Sequence, residues 1–387
     1  MKYLRKALLL SLVFLAAFSA CTRAEEFGFG RINAESVAIR KEAGGEKIAR
    51  LQKGSSVWIT GSGTDGKGEL WYHVRAEEGT DSNFRRRTGW VKAEFVDAGS
   101  SLWHDVRTVK AAIFGMIALK TDGTVVCAGE NMITLPTDRY ARLRDIRQVG
   151  ICTVGWAFYA VDGNGRLYRD GDEVRLKNRI RLAGCGDRVS ITVDNRLQDN
   201  YEGSTGLRWI WPQSGAEDRL EHVVAMADCN WRNLFLMDDG QVCCACTDDA
   251  GLDYPEPDWE AWTDAAGIDA SLCSYGTYEL NGRTLRKYVP AFAAVRKDGT
   301  VIAAPAELAA LTVDWQDIRK VAIGSDFVLG LKQDGTVVAA GVDGRTPPDV
   351  SGWTDIADIS NGHTYCVGVK NDGTLIFAGS FEFTEDN

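Results

Sequence analysis

Histidine is scarce in this chain, with 4 in 387 residues, and His73, His104, His222 and His363 are not spaced as a metal pair. No GxSxG elbow, HExxH motif or phosphate-cradling glycine loop is present. The ordinary signatures of a hydrolase, a metalloprotease and a nucleotide-binding enzyme are therefore missing, and no cofactor is expected. Positive charge is also short. Lys and Arg total 44 against 54 Asp and Glu, a formal net charge of -10. Such a field repels polyphosphate, and the basic stretches are brief, as in "FRRRTGW" from Phe84 to Trp90. Nucleic acid is not an expected partner. The chain has no low-complexity tract and no long run of charge, which argues against extended disorder. Beyond the N-terminus no apolar run approaches the roughly 20 residues that a spanning helix needs.

What is present begins at the N-terminus. Lys2, Arg5 and Lys6 precede an apolar run from Ala7 to Phe18 that only Ser11 interrupts. The run is too short to span a bilayer and has the layout of an export signal. It ends in "FSAC", Phe18 to Cys21, which resembles the bacterial lipoprotein signal. That family prefers Leu where this chain has Phe18. The resemblance implies that residues 1–21 are a signal ending at a lipid-anchoring Cys21, with membrane attachment through that lipid alone. The alternative is a secretory signal cut a few residues later, for example after Ala24, and a secreted protein.

Ten cysteines are present, and removing Cys21 leaves nine, an odd number for a fully bridged exported protein. Cys127, Cys243, Cys244, Cys246 and Cys366 lie in apolar, strand-like runs. "VCCAC", Val242 to Cys246, suggests metal. In a strand, however, Cys244 and Cys246 face one side and Cys243 the other, and no second pair stands at a zinc-ribbon spacing. Core or disulfide cysteines are expected, and no metal.

Residues 27–98 form a first domain. Val37, Ile39, Val57 and Ile59 mark one face of alternating strands, with turns at "AGGEK", "LQKGSS" and "GSGTDGKGE". Five or six short strands in about 70 residues predict a small β-barrel. The stretches "VAIRKEAGGEKIARLQKG", "WYHV" and "GWVKAEFV" resemble the bacterial SH3-like domain family. Membership implies a domain that touches cell-wall or other surface ligands. Trp71, Tyr72 and Trp90 match the family's aromatic positions, as barrel packing or as a stacking surface for sugars or peptides. His73, on the same strand, is expected to be structural.

From residue 101 to 387 the chain repeats itself. "GLKQDGTVVAAG" (Gly330 to Gly341) returns as "GVKNDGTLIFAG" (Gly368 to Gly379) and as "ALKTDGTVVCAG" (Ala118 to Gly129). Asp-Gly between apolar runs is a hairpin signal, expected as a type I′ turn with positive φ at both central residues. The turn glycine recurs at Gly123, Gly165, Gly240, Gly299, Gly335 and Gly373, with steps of 42, 75, 59, 36 and 38. The long step holds a degenerate copy with Asn195 in the turn. Seven units of about 41 residues, made of short strands, predict a β-propeller. The segments "GWTDIADIS" and "GVKNDGTLIFAG" resemble the regulator of chromosome condensation repeat in its bacterial form, which implies seven blades. The expected fold class is all-β, a small SH3-like barrel followed by a seven-bladed β-propeller. Trp103, Trp315 and Trp353 share one register and are expected between blades, with His363 structural.

Function is expected where the repeat is broken. One insertion runs from Gln198 to His222 and another from Thr247 to Tyr288. They carry Tyr201, Trp209, Trp211, Tyr254 and Trp259, with Tyr275 and Tyr278, either as a ligand surface or folded back as a cover. The expected protein is a non-catalytic, monomeric cell-envelope binder of cell-wall, glycan or protein ligands. One alternative is an envelope scaffold with no small ligand. Another is a surface glycan hydrolase using loop carboxylates among Asp248, Asp249, Asp253, Glu256, Asp258 and Glu260.

Overall fold

The computed structural model describes residues 29–379, apart from 79–84, 99–102, 113–114, 130–136, 141, 152–157, 185–188, 200–207, 213–214, 230–231, 247–255 and 281. The N-terminal segment with Cys21, and Tyr201 and Tyr254, lie outside the described residues. Among the described residues no helix is long and apolar enough to cross a membrane. Two compact units are present, residues 29–76 with 87–98 and residues 77–86 with 103–379.

The first unit has seven strands: β1 (Phe29–Ile32), β2 (Ser36–Arg40), β3 (Lys47–Gln52), β4 (Ser56–Thr64), β5 (Leu70–Glu78), β6 (Arg85–Lys92) and β7 (Val96–Ala98). They form one sheet in the order β3-β2-β6-β5-β4-β1-β7. Its edges, β3 and β7, do not pair, so hydrogen bonding leaves the sheet open where a closed barrel was expected. Alternation sets its core: Val37, Ile39, Leu51, Val57, Ile59, Val74 and Val91 are all buried in one cluster.

The second unit is a succession of small antiparallel sheets, numbered I to VII here in chain order. Their inner strands are Val106–Ala112, Ile146–Ile151, Ile180–Ala183, Val223–Cys229, Ala265–Leu280, Ile318–Ile323 and Ile356–Asn361. Each inner strand pairs with the strand that follows it. The β assignment follows from short apolar runs parted by Asp-Gly turns, with no helical periodicity between them.

The turn is not type I′. Gly123, Gly165, Gly240, Gly299, Gly335, Gly373 and Asn195 all have positive φ, but the residue before each does not. The amide of Gly123 donates to the Lys120 carbonyl and that of Lys120 to the Thr124 carbonyl. This is a type I turn closed by a left-handed residue. The Asp caps it: Asp122 Oδ1 accepts from the Thr124 amide at 2.8 Å and hydroxyl at 2.6 Å. Asp298, Asp334 and Asp372 repeat both bonds with Thr300, Thr336 and Thr374.

The same glycine joins neighbouring sheets. Its carbonyl accepts from the first inner-strand amide of the next sheet, as Gly123 does from Ile146, Gly299 from Ile318 and Gly335 from Ile356. Gly373 of sheet VII accepts from Val106 of sheet I at 3.0 Å, so the sheets close into a ring. At the join from III to IV, Asn195 replaces glycine, and Arg181 bridges Asn195 Oδ1 and the Val223 and Leu220 carbonyls. A second backbone device precedes five inner strands. Asp105, Asp145, Asp264, Asp317 and Asp355 sit at φ between 55° and 62°, a left-handed conformation that Asp tolerates.

The repeated tryptophans pack as expected. Trp353 lies in one core cluster with Leu329 and Leu331 of sheet VI and Ile356 and Cys366 of sheet VII. Trp315 and Trp353 each cover a glycine on the second strand of their own sheet, Gly330 and Gly368. Trp103 is buried as well.

Candidate functional site

The aromatic candidates go mostly into cores. Trp71 is 5% exposed, and its indole donates to Asp65 Oδ2 at 3.2 Å. Arg40 stands over its ring at 5.8 Å. Tyr72 packs on the core of the first unit. Trp90 is half-buried and meets His73 edge-on at 5.3 Å. In the second unit, Trp209 and Trp211 are not on a loop. They lie on Arg208–Trp211, a strand that pairs with Val242–Cys246 in sheet IV. Trp209 packs on Phe235 at 5.1 Å. Trp259 is 5% exposed against Trp262 and Phe292, with its indole on Glu256. Among the aromatics offered for ligand binding, Tyr72, Trp90, Trp209, Trp211 and Tyr275 keep partial exposure and Tyr278 is exposed.

"VCCAC" is the third strand of sheet IV and is buried throughout. Cys243 joins a cluster with sheet III, Cys244 one with sheet V, as alternation requires. Burial pushes the Cys243 thiol up to about 11. Cys243, Cys244, Cys273 and Cys366 are free thiols. Among the described residues no group of three or more His, Cys, Asp or Glu could hold a metal. Of the loop carboxylates, Glu256 pairs with the buried Arg232 at 2.7 Å, and Asp258 and Glu260 are exposed. Asp248, Asp249 and Asp253 lie outside the described residues.

Two polar groups in the ring were not singled out by sequence. The first brings together Lys110, Asp269, Lys320 and Asp358 from the inner strands of sheets I, V, VI and VII. Sheets I and V are not neighbours, so the interaction of Lys110 with Asp269 puts this group at the ring's centre. Asp358 accepts from Lys320 Nζ, from Thr108 Oγ1 at 2.6 Å, and from the Ile359 amide at 3.0 Å. Burial alone would raise its carboxyl, but Lys320 and Thr108 hold it below the usual carboxylate range. Asp269 accepts from the Ile323 amide at 2.7 Å, and burial raises its carboxyl. Burial, then Lys320, lowers the Lys110 ammonium. Thr108, Lys320 and Asp358 each stand five residues after the tryptophan of their own unit, and Lys110 stands seven after Trp103. Polar residues at those offsets, on a strand otherwise apolar, were the available signal.

The second group lies at one end of the ring, where inner strands turn into second strands. In sheets VI and VII that turn is short, closed by the Gly324 amide on the Phe327 carbonyl and the Gly362 amide on the Tyr365 carbonyl. In sheet V the strands run on instead. Ala265–Leu280 has 16 residues and Arg283–Arg296 has 14, and the excess forms a two-stranded arm beyond the Ser274↔Tyr288 pair. The arm's far part is exposed. Its base docks on sheet VI: the Ser274 amide donates to the Ser325 carbonyl at 2.8 Å and the Gly276 amide to Asp343 Oδ2 at 3.0 Å. The sequence marks this as an insertion, and Asn281-Gly282 is the hairpin signal that would have found the arm.

Arg286 of the arm reaches Asp326 in the sheet VI turn, 3.4 Å from each carboxylate oxygen. Arg345 Nε is 3.5 Å from the same carboxylate. His363, in the sheet VII turn, sits in the field of all three, and burial lowers its imidazole. Arg286 and Arg345 thus share the Asp326 carboxylate, with Asp343 holding the base of the same arm. Near it, Ser274 Oγ, Arg345 Nε and Asn361 Oδ1 are buried with no hydrogen-bond partner, whereas Tyr275, whose hydroxyl is also unpartnered, packs on the core of sheets V and VI in the field of Glu307 and Asp343. Asn361 comes this close because Gly324 has no side chain; a Cβ there would stand 2.5 Å from the amide carbon. Its Nδ2 donates to the Phe327 carbonyl at 2.8 Å, leaving the oxygen unsatisfied.

No family model and no curated protein matches this chain. Solved structures with similarity include the crinkly ectodomain of the receptor kinase ACR4 from Arabidopsis thaliana. It has 14% identity and TM-score 0.42, covering 71% of this chain and 97% of that one. Yeast RCC1 (Prp20), solved with Kap60, has 13% identity and TM-score 0.34, covering 71% and 70%. BamB from Moraxella catarrhalis has 11% identity and TM-score 0.34, covering 70% and 96%. At these scores the likenesses carry no argument, and the ring rests on its own hydrogen bonds.

Proposed function

We infer that the chain is a non-catalytic binding protein of the cell envelope. In this reading the export signal ends at a lipidated Cys21, the first unit is a bacterial SH3-like domain, and the ring is a seven-bladed β-propeller. The ring supports the propeller reading: small antiparallel sheets follow one another in sequence order and the last bonds to the first. The observation that carries binding is the end of the ring under the sheet V arm. The regular turns of sheets VI and VII there meet an irregular element bearing Arg286, and polar groups are left without partners. Buried unsatisfied groups cost about 1–3 kcal/mol each, and a fold keeps them where another molecule completes them.

The test is retention of the full-length protein, made in a bacterial host, on isolated cell walls and on envelope extracts. Retention that weakens when Asp326 and Arg286 are both replaced supports the reading. Retention on neither material sinks it. A protein ligand is the second reading, favoured by Tyr278 and Leu280 on the arm, which are 47% and 50% exposed.

A further inference from the structure

The chain is acidic overall, but its cations are unevenly placed. Residues 137–199, which hold sheets II and III, carry 12 Lys and Arg against 9 Asp and Glu, in a chain of net charge -10. Arg142, Arg147, Arg175, Lys177 and Arg181 have no ion pair among the described residues. Of the carboxylates described in these sheets, Asp162, Asp170, Asp172, Glu173 and Asp194 have partners and Asp145 has none. The unpaired cations gather on one strip. "VRLKNRIR", Val174 to Arg181, crosses the end of the ring where inner strands begin. The Val174 amide donates to the Leu167 carbonyl at the outer side of sheet II, and the Ile180 amide to the Gly165 carbonyl at the turn. Val174, Leu176 and Ile180 pack into the core of sheets II and III, and Arg175, Lys177 and Arg179 are exposed. Arg179 shares Glu173 with Arg166, at 3.6 and 3.9 Å. At the inner end of the strip Arg147 donates to the Ile180 carbonyl at 2.6 Å, and Arg181 to the Val223 and Leu220 carbonyls. These guanidiniums end on carbonyls, where Arg219 ends on Asp239 and Arg232 on Glu256. Burial and the like charge of Arg147 lower the Arg181 guanidinium.

We propose that this strip binds a linear polyanion of the polyol-phosphate kind, with one phosphodiester to each short repeat, laid along Arg175, Lys177 and Arg179 to the Arg147 and Arg181 pair. The cations recur at every second residue, about 6–7 Å apart where the chain is extended, and a polymer charged at every short repeat meets them in turn. What surrounds the strip selects a chain and rejects a sheet of charge. At the same end of the ring, the turns of sheets I, V, VI and VII expose Asp122, Asp298, Asp334 and Asp372, each held below the usual carboxylate range by its Thr. Glu221 and Asp238 stand beyond the strip on the side of sheet IV, both against His222. A flat anionic membrane meets all of these carboxylates, whereas a single chain passes between them. The strip has no aromatic side chain, so the bases of a nucleic acid have nothing in it to stack on. The negative charge of the rest of the molecule keeps the affinity modest and sensitive to salt.

This proposal rests on the envelope-binding reading for the class of polymer, and it adds a surface at the end of the ring opposite the sheet V arm. The full chain is titrated by calorimetry with poly(glycerol phosphate), with glycerol phosphate and with neutral dextran, at low and at rising salt. The polymer is expected to bind at least about tenfold tighter per phosphate than the monomer, with steep loss as salt rises, and dextran not at all. Arg175→Gln combined with Lys177→Gln lowers the polymer affinity about tenfold and the slope of log K against log salt by about 1–2. Both side chains are exposed and unpaired, so the pair of changes leaves the fold intact. Lys297→Gln, on the sheet V turn at the same end, changes neither quantity. Unchanged affinity and slope in the double variant overturn the proposal. So does absence of polymer binding at about 50 mM salt, or tighter binding of single-stranded DNA of equal charge. Retention on walls without polymer binding removes this site and leaves envelope binding standing. Polymer binding that the double variant weakens, without retention on walls or extracts, keeps the site and removes the envelope reading.

Discussion

Two aspartates in one ring have opposite surroundings. Asp358, at the centre, is gripped by Lys320, Thr108 and a backbone amide at short range. Asp326, at the ring's end, has two arginines, both held at 3.4 Å or more. The first carboxylate is fully used by the fold. It ties sheet VII to sheets I and VI, and a ligand has nothing to gain from it. The second leaves its partners unsaturated and is ringed by unsatisfied polar atoms. A charge that the fold consumes is structural, and one that it leaves half-used is available to another molecule.

The comparison is broken most severely by Asp358→Ala. It leaves Lys320 and Lys110 with only Asp269, whose carboxyl burial raises, to offset them, and removing one partner of a buried pair costs about 3–5 kcal/mol. Urea unfolding measures it, and a loss below about 1 kcal/mol would put Asp358 in the same class as Asp326. Next is Gly373→Ala. Gly373 has φ 80°, and a Cβ there would stand 2.8 Å from Asp105 Cα, across the join of sheets VII and I. Strain of this kind costs about 1–3 kcal/mol, read as a lowered midpoint with unchanged urea slope. A third test uses acid. The Asp358 carboxyl is depressed in the folded state, so its stabilisation is present above its unfolded value of about 3.9 and is lost as pH falls through the folded one. Asp358→Asn therefore flattens the fall in stability below about pH 4. The smallest effect is expected for shortening the arm, with Tyr278–Leu285 replaced by a two-residue Asn-Gly turn between the paired Thr277 and Arg286. The residues lost are mostly exposed, so ring stability stays within about 1 kcal/mol. A larger loss would make the arm part of the fold.

The regular part of this molecule was legible in its sequence because backbone geometry dictates it. Each traced turn glycine, and Asn195 in the weakest unit, has positive φ. The turn type was misjudged because Asp-Gly serves two hairpin geometries, and the same bulged turn forms at Gly165 and Gly240, where Arg166 and Gln241 follow in place of Thr. The insertions were found as interruptions, and their aromatic content left open whether they display a surface or fold back as a cover. Trp209 and Trp211 sit on a strand and Trp259 is in a core, because large rings gain more from burial than from display. Asp326, Arg286 and Arg345 could not have been grouped from sequence. They come from the sheet VI turn, the sheet V arm and the segment after the third strand of sheet VI, and only the docking of the arm on sheet VI brings them together.

Closure also sets an order of events in synthesis. Thr108 meets Asp358 across 250 residues of chain, and Tyr365 reaches the Gly115 carbonyl across the same separation. Contacts of that range form slowly, and here they also wait for translation. Until sheet VII emerges, sheet I has an open flank, and the two central lysines lack the carboxylate that binds one and partly offsets the other. The nascent ring is thus an incomplete arc with a charged interior and an exposed edge, a form that invites pairing with another chain. The residues that finish the ring also end that exposure.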